Sequence, residues 1–366
     1  MTIAAQEMAG VGHARFTFRL RVSSTAVGAL EAEGARCRWL WNECCARSRR
    51  AHAENEKCGP ARLDKMLTEA RAGMGWLREG SSVPQQQVIR DFAGRDAQVQ
   101  EEAPGRLVAE LHPEGFRFKD GRLHLAGGIA VTVVWSRALP EHPSSVRVYR
   151  DSTGAWYASF VVASMSETLP GTGRVIGIDW GVKEIATTTS DDHDLPHPQH
   201  GKRAAQRLAH YQRMMSRRKP KRGRAGSKGY REAKRQTAKL HKKVARQRQD
   251  TARKWAKKVV RDHDALAVED FRPKFLAKST MVKKAADAAI GATKTALVEM
   301  GRKHGRWVHL VHPAHTTMDC ADCGARTKHA LPLSERTYTC TTCGVSRPRD
   351  KNSAGVMLVR AGLCPG

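Results

Sequence analysis

The sequence predicts an α/β protein built in parts: a small N-terminal β-barrel with a helical insertion over residues 1–165, followed by a mixed α/β domain interrupted by a metal ribbon. Three observations carry this. Segments that alternate apolar and polar residues crowd the first 165 positions, with a helical pattern set among them. The composition turns to a short linker, SETLPGTG, at 166–173. Near the other end, two CxxC pairs break an otherwise regular strand and helix pattern.

The elements follow in order. RFTFRLRV at 15–22 sets aromatic and aliphatic residues against basic ones, the pattern of a half-buried strand. Ser23, Ser24 and Thr25 then offer an N-cap, and Leu30, Cys37, Trp41 and Cys44 fall at helical spacing. A second helix is predicted over Pro84 to Val99, within an insertion spanning about 24–110. Strands return at 115–118, 121–125, 128–135, 145–150 and 155–163. After the linker, RVIGIDWGVKEIATTTS reads as a strand, a glycine turn and a second strand. A long basic helix pair comes next, then a buried strand at 265–270, a helix across Ala285 to Met300, a strand at 306–311 and a last helix around Ser353 to Arg360.

Charge narrows the partners. Among 366 residues, 64 Lys and Arg stand against 36 Asp and Glu, a net charge of +28, which points to a polyanion. Residues 202–248 hold 19 Lys or Arg and a single acid, Glu232. Such a run repels itself unless phosphates neutralise it, so Arg217, Arg218, Lys219, Lys221 and Arg222 are candidate nucleic-acid contacts. Trp39, Trp41 and Trp76 could stack on bases, but at helical spacing they read as core. The longest apolar stretch, Leu125 to Trp135, is well short of the ~20 residues that cross a membrane. The opening MTIAAQEMAG has neither a basic nor an apolar leader region, and the expectation is a cytoplasmic protein.

Cys320, Cys323, Cys340 and Cys343 form CADC and CTTC, each followed by Gly, with 16 residues between the pairs. This is zinc-ribbon spacing: two knuckles bring four thiolates into a closed tetrahedral shell, which makes the zinc structural. Cys37, Cys44, Cys45, Cys58 and Cys364 follow no ligand spacing. Asp179 and Glu269 end strands and Asp350 lies beside a helix start, 90 and 81 residues apart. Three carboxylates that meet imply bound cations, and two Mg²⁺ roughly 4 Å apart would serve phosphodiester hydrolysis. Taken singly, each also reads as ordinary structure: Asp179 a turn residue before Gly181, Glu269 a strand-end charge, Asp350 an N-cap.

GIDWGVKEIAT, AVEDF and RDKNSAGVML, in that order with the CxxC ribbon between the last two, resemble the three split RuvC motifs of the TnpB family of transposon-encoded proteins, relatives of the type V CRISPR effectors. The resemblance runs through the basic RQRQDTARKWAKKVV segment and covers roughly residues 170–360. FRLRV, CRWLWNE and SSVPQQQVIRDF resemble that family's wedge and recognition regions. It implies an RNase H-like nuclease domain over 174–314 and 348–366, interrupted by the ribbon at 315–347. It further implies that Asp179, Glu269 and Asp350 bind Mg²⁺ and cut target DNA under a guide RNA. Two places depart from the family pattern: HTTMDCADCG, where a Ser and a Gln usually precede the first Cys, and Gly355 to Leu358, where an Asn is usual. Two other readings stay open, a miniature type V CRISPR effector and a non-cutting guide-bound repressor; the repressor's signature would be loss of an acid, and all three are present.

Overall fold

The computed structural model describes residues 2–3, 12–93, 107–111, 115–271, 282–329, 331–332 and 334–363. The chain divides into two compact units, residues 12–164 and residues 1–11 with 165–366. A two-residue strand β1 (Thr2–Ile3) belongs to the second. Among the described residues, no helix is long and apolar enough to cross a membrane.

The unit of residues 12–164 runs β2 (Gly12–Arg21), α1 (Ser24–Ala53), α2 (Pro60–Gly73), α3 (Gly75–Arg78), α4 (Ser82–Ala93), β3 (Leu107–Leu111), β4 (Phe116–Lys119), β5 (Arg122–Leu125), β6 (Ile129–Val134), β7 (Pro143–Arg150) and β8 (Trp156–Ser164). Ser23 caps α1 by accepting from the Ala26 amide at 3.2 Å. The second predicted helix is α4; of its expected range, 94–99 lie outside the described residues. The strands form one antiparallel sheet in the order β3-β7-β8-β2-β6-β5-β4.

Here the barrel expectation is corrected: among the described residues β3 and β4 are the two sheet edges and do not pair with each other. The physical reason lies in α1. Its Ala26 and Leu30 join Phe18, Leu123, Val146 and Phe160 in one core, so a helix removes the sheet's apolar face from water and self-closure is not required. The helices keep a second core of Leu40, Trp41, Cys44, Cys45, Leu63, Met66, Leu77 and Phe92. Trp41 is therefore core, packed edge-on to Phe92, and burial pushes the Cys44 thiol up to about 12.

The second unit is built on β9 (Val175–Trp180), β10 (Glu184–Thr188), β11 (Leu195–Pro196), α5 (His200–Arg217), α6 (Lys228–Asp262), β12 (Ala265–Glu269), α7 (Val282–Ala288), α8 (Ile290–Lys303), β13 (Trp307–Val311), β14 (Thr337–Thr339), β15 (Ser346–Pro348) and α9 (Arg349–Arg360). Its main sheet has the order β1-β13-β12-β9-β10-β11. β9, β12 and β13 are parallel neighbours, and β10 returns antiparallel to β9. All five residues of β12 are buried, as a central parallel strand requires. The helix expected across 285–300 is two, because Ala289 takes a left-handed φ of 53°. Asp287, just before that break, accepts from the Gly201 and Lys202 amides at 2.6 and 3.0 Å and so satisfies the start of α5.

Candidate active site and metal centre

β9 and β12 lie side by side with Ile178 opposite Val268, so the next position of each strand carries an acid: Asp179 and Glu269. The third acid arrives on α9, which packs against β9 so closely that a Cβ on Gly177 would meet the Ala354 carbonyl oxygen at 2.0 Å. Asp350 sits in the first turn of α9, and the N-cap is Pro348, which corrects the N-cap reading. An acid in that turn suits the positive end of the helix.

The residue after Asp179 fixes Glu269. Trp180 donates its backbone N–H to Glu269 Oε2 at 3.2 Å and its indole N–H to the Glu269 carbonyl at 3.0 Å. Its ring packs edge-on to Trp255 of α6. Burial, with the charges of Glu269 and then Asp350, holds the Asp179 carboxyl well above the usual aspartate range, and the Arg349 guanidinium opposes them. Burial pushes Glu269 up to about 7 against the pull of the Trp180 amide and Lys294. Glu269 is buried while Asp179 and Asp350 are partly exposed, and among the described residues the three carboxylates do not close into a metal-sized cluster as the four cysteines do. Carboxylate oxygens are the donor type that Mg²⁺ takes, so the residue types suit that ion.

The four cysteines form a tighter cluster: their Sγ atoms all lie within 4.8 Å of one another. Cys320 and Cys343 are 3.7 Å apart and Cys323 and Cys340 3.6 Å. Zn–S bonds of about 2.3 Å give tetrahedral edges of about 3.8 Å, whereas a disulfide needs about 2.05 Å. The two knuckles repeat one pattern. Gly324 and Gly344 donate to the Cys320 and Cys340 carbonyls, and the Cys320 and Cys340 amides donate to Ala325 and Val345. Both glycines take positive φ, 71° and 75°, where a side chain would be strained. Amides of Cys343 and Thr342 pull the Cys340 thiol down to about 6, while against the Ala325 amide burial and the other thiols push Cys323 up to about 12, so without metal the cluster spreads its protons unevenly. The donor set fits a closed Zn²⁺ site.

Arg217, Arg218, Lys219, Lys221 and Arg222 are all exposed at the connection between α5 and α6. Arg218 donates to the Gly229 carbonyl at 3.3 Å. α5 has no buried residue, whereas α6 buries Val244, Trp255 and Val259. Sequence reasoning did not single out Trp180, Arg349, Lys351 or Asn352, whose partners lie on other elements.

The chain is similar to known proteins. Residues 159–280 match the OrfB_IS605 family, described as "Probable transposase", and residues 291–357 match the family described as "Cas12f1-like, TNB domain". A Streptomyces pristinaespiralis protein provisionally named an RNA-guided DNA endonuclease is 29% identical over 334 residues, covering 87% of this chain and 81% of its own. Escherichia coli K12 InsQ, provisionally named the same way, is 26% identical over 373 residues, covering 94% and 91%. The Cas12f1 chain of a cryo-EM Cas12f1–sgRNA–target DNA complex has the same fold, with a TM-score of 0.61 at 10% identity over 95% of this chain and 98% of that one.

Proposed function

We propose, from the premise that this chain is an IS605 OrfB and TnpB-like protein with a Cas12f1-like TNB domain, that it is an RNA-guided DNA endonuclease. The observation that supports the reading is that neighbouring ends of β9 and β12 carry Asp179 and Glu269, and that the charges of Glu269 and of Asp350 on α9 both raise the Asp179 pKa. The antiparallel β9–β10 pair with β12 and β13 added in parallel supports a RuvC-like, RNase H-like domain.

The three acids would hold Mg²⁺. When bound, that ion supplies the means to activate a water and to offset charge on the leaving oxygen of a phosphodiester. Trp180 holds one Glu269 oxygen, so the side chain presents its other oxygen in a fixed direction. The four cysteines close the ribbon around structural zinc. Exposed basic residues between α5 and α6 neutralise nucleic-acid phosphates. Guide RNA and target DNA are the partners: base pairing reads sequence, and the protein reads backbone and shape.

The test compares cleavage and binding of a guide-matched target by the wild type and by Asp179→Ala, Glu269→Ala and Asp350→Ala, with thermal melting as the check on folding. Each variant is expected to bind the target and to lose cleavage, and double variants to lose no more than singles, as residues acting as a unit do. Variants that cut at the wild-type rate would remove these acids from the site. A wild type that binds and never cuts in Mg²⁺ would favour the repressor reading.

A further inference from the structure

Asp350 is the one acid of the three carried by a helix, and its neighbours anchor that helix in several directions. Arg349 donates to the Pro332 and Glu335 carbonyls at 3.0 and 3.3 Å. Lys351 donates to the Thr188 carbonyl at 2.9 Å and pairs with Asp194 at 2.8 Å. Ser353 donates to the Thr316 carbonyl at 3.4 Å. Asn352, fully buried at 0% exposure, is bonded at both ends of its amide. Its Oδ1 accepts from the Ala321 N–H at 3.1 Å, and its Nδ2 donates to the Asp319 carbonyl at 2.7 Å.

Asp319 and Ala321 flank Cys320, so the amide clasps the backbone on both sides of the first zinc-ligand candidate. An amide carries an acceptor and donors on one planar group; aspartate lacks the donor and alanine lacks both. One turn on, Gly355 lets the knuckle come close: a Cβ there would sit 2.8 Å from the Ala321 Cβ.

We infer that Asn352 is a positioning residue that transmits the shape of the Cys320 knuckle to the first turn of α9, and so sets where Asp350 meets Asp179 and Glu269. The inference rests on the nuclease reading of Asp350, and its test lets the two fail separately.

The test uses the full chain with its copurified guide RNA and compares Asn352→Ala, Asn352→Asp, Gly355→Ala and Asp350→Ala with the wild type. Zinc content, target binding, hydrogen exchange at the amides of residues 349–353, and cleavage rate against Mg²⁺ concentration are measured. Asn352→Ala is expected to keep about one zinc per chain and its target affinity. Its α9 amides should exchange faster, its cleavage should fall about 10–100-fold, and its half-saturating Mg²⁺ concentration should rise. Asn352→Asp, which sets a buried carboxylate oxygen against the Asp319 carbonyl, should lose at least as much, and Gly355→Ala should shift the same readouts in the same direction. Wild-type exchange and Mg²⁺ dependence in Asn352→Ala would overturn the inference, as would loss of its zinc, which would make Asn352 a ribbon-stability residue. If Asn352→Ala does not fold, unaltered α9 exchange in Gly355→Ala overturns it. Normal cleavage by Asp350→Ala sinks the nuclease reading alone, because exchange still reports the clasp.

Discussion

Burial raises the carboxyl pKa of both Asp179 and Glu269 above the ordinary carboxylate range, and this links the site to stability. A folded-state pKa raised above the unfolded value gives stability that is fully present below the unfolded value and lost as pH rises through the folded one. For Glu269 that window runs from 4.5 up to about 7. In magnesium-free buffer with zinc left in place, Glu269→Gln should therefore melt above the wild type at pH 8 and level with it near pH 4. A gain on the order of 1 kcal/mol corresponds to about 2–4 °C for a unit of this size. Added Mg²⁺ should raise the wild-type midpoint most at high pH and leave Glu269→Gln nearly unmoved. A lower midpoint for Glu269→Gln at pH 8 would return Glu269 to the role of a strand-end charge. The acids were legible in the sequence because their types, order and flanking motifs travel together. The groups that aim them were not: the bonds of Trp180 to Glu269 and of Asn352 to Asp319 and Ala321 span 89, 33 and 31 residues, and no local pattern encodes them.

At the scale of elements, the ribbon depends on its metal more than on its core. Among the described residues its buried hydrophobic residues are Tyr338, Cys320 and Cys340, a cluster too small to fold a segment alone. Cys340→Ser should release the zinc and make residues 315–347 sensitive to protease, measured by metal analysis and limited digestion; a zinc-free ribbon that resists digestion would refute the structural role. Because α9 follows directly on β15, cleavage should fall with it. Cys spacing alone revealed this element. The break at Ala289 and the open sheet edges at β3 and β4 were hidden, since helical periodicity carries across one left-handed residue and alternation along a strand does not say whether a sheet closes.

On the scale of the whole molecule, the net charge of +28 is concentrated rather than spread, and the α5–α6 connection is its densest exposed part. Neutralising Arg217, Arg218, Lys219, Lys221 and Arg222 together should weaken binding across sequences alike. It should also flatten the slope of log affinity against log salt by about 3.5–4.5 if all five meet phosphates. An unchanged slope would make the run a solvated surface. The basic helix pair precedes α9 in the chain, and on the nuclease reading that order has a consequence for synthesis. A chain still emerging from the ribosome displays its phosphate-binding hairpin and holds Asp179 and Glu269 before Asp350 has been made. On that reading guide capture can begin on a protein not yet able to cut, since the last acid arrives only with α9.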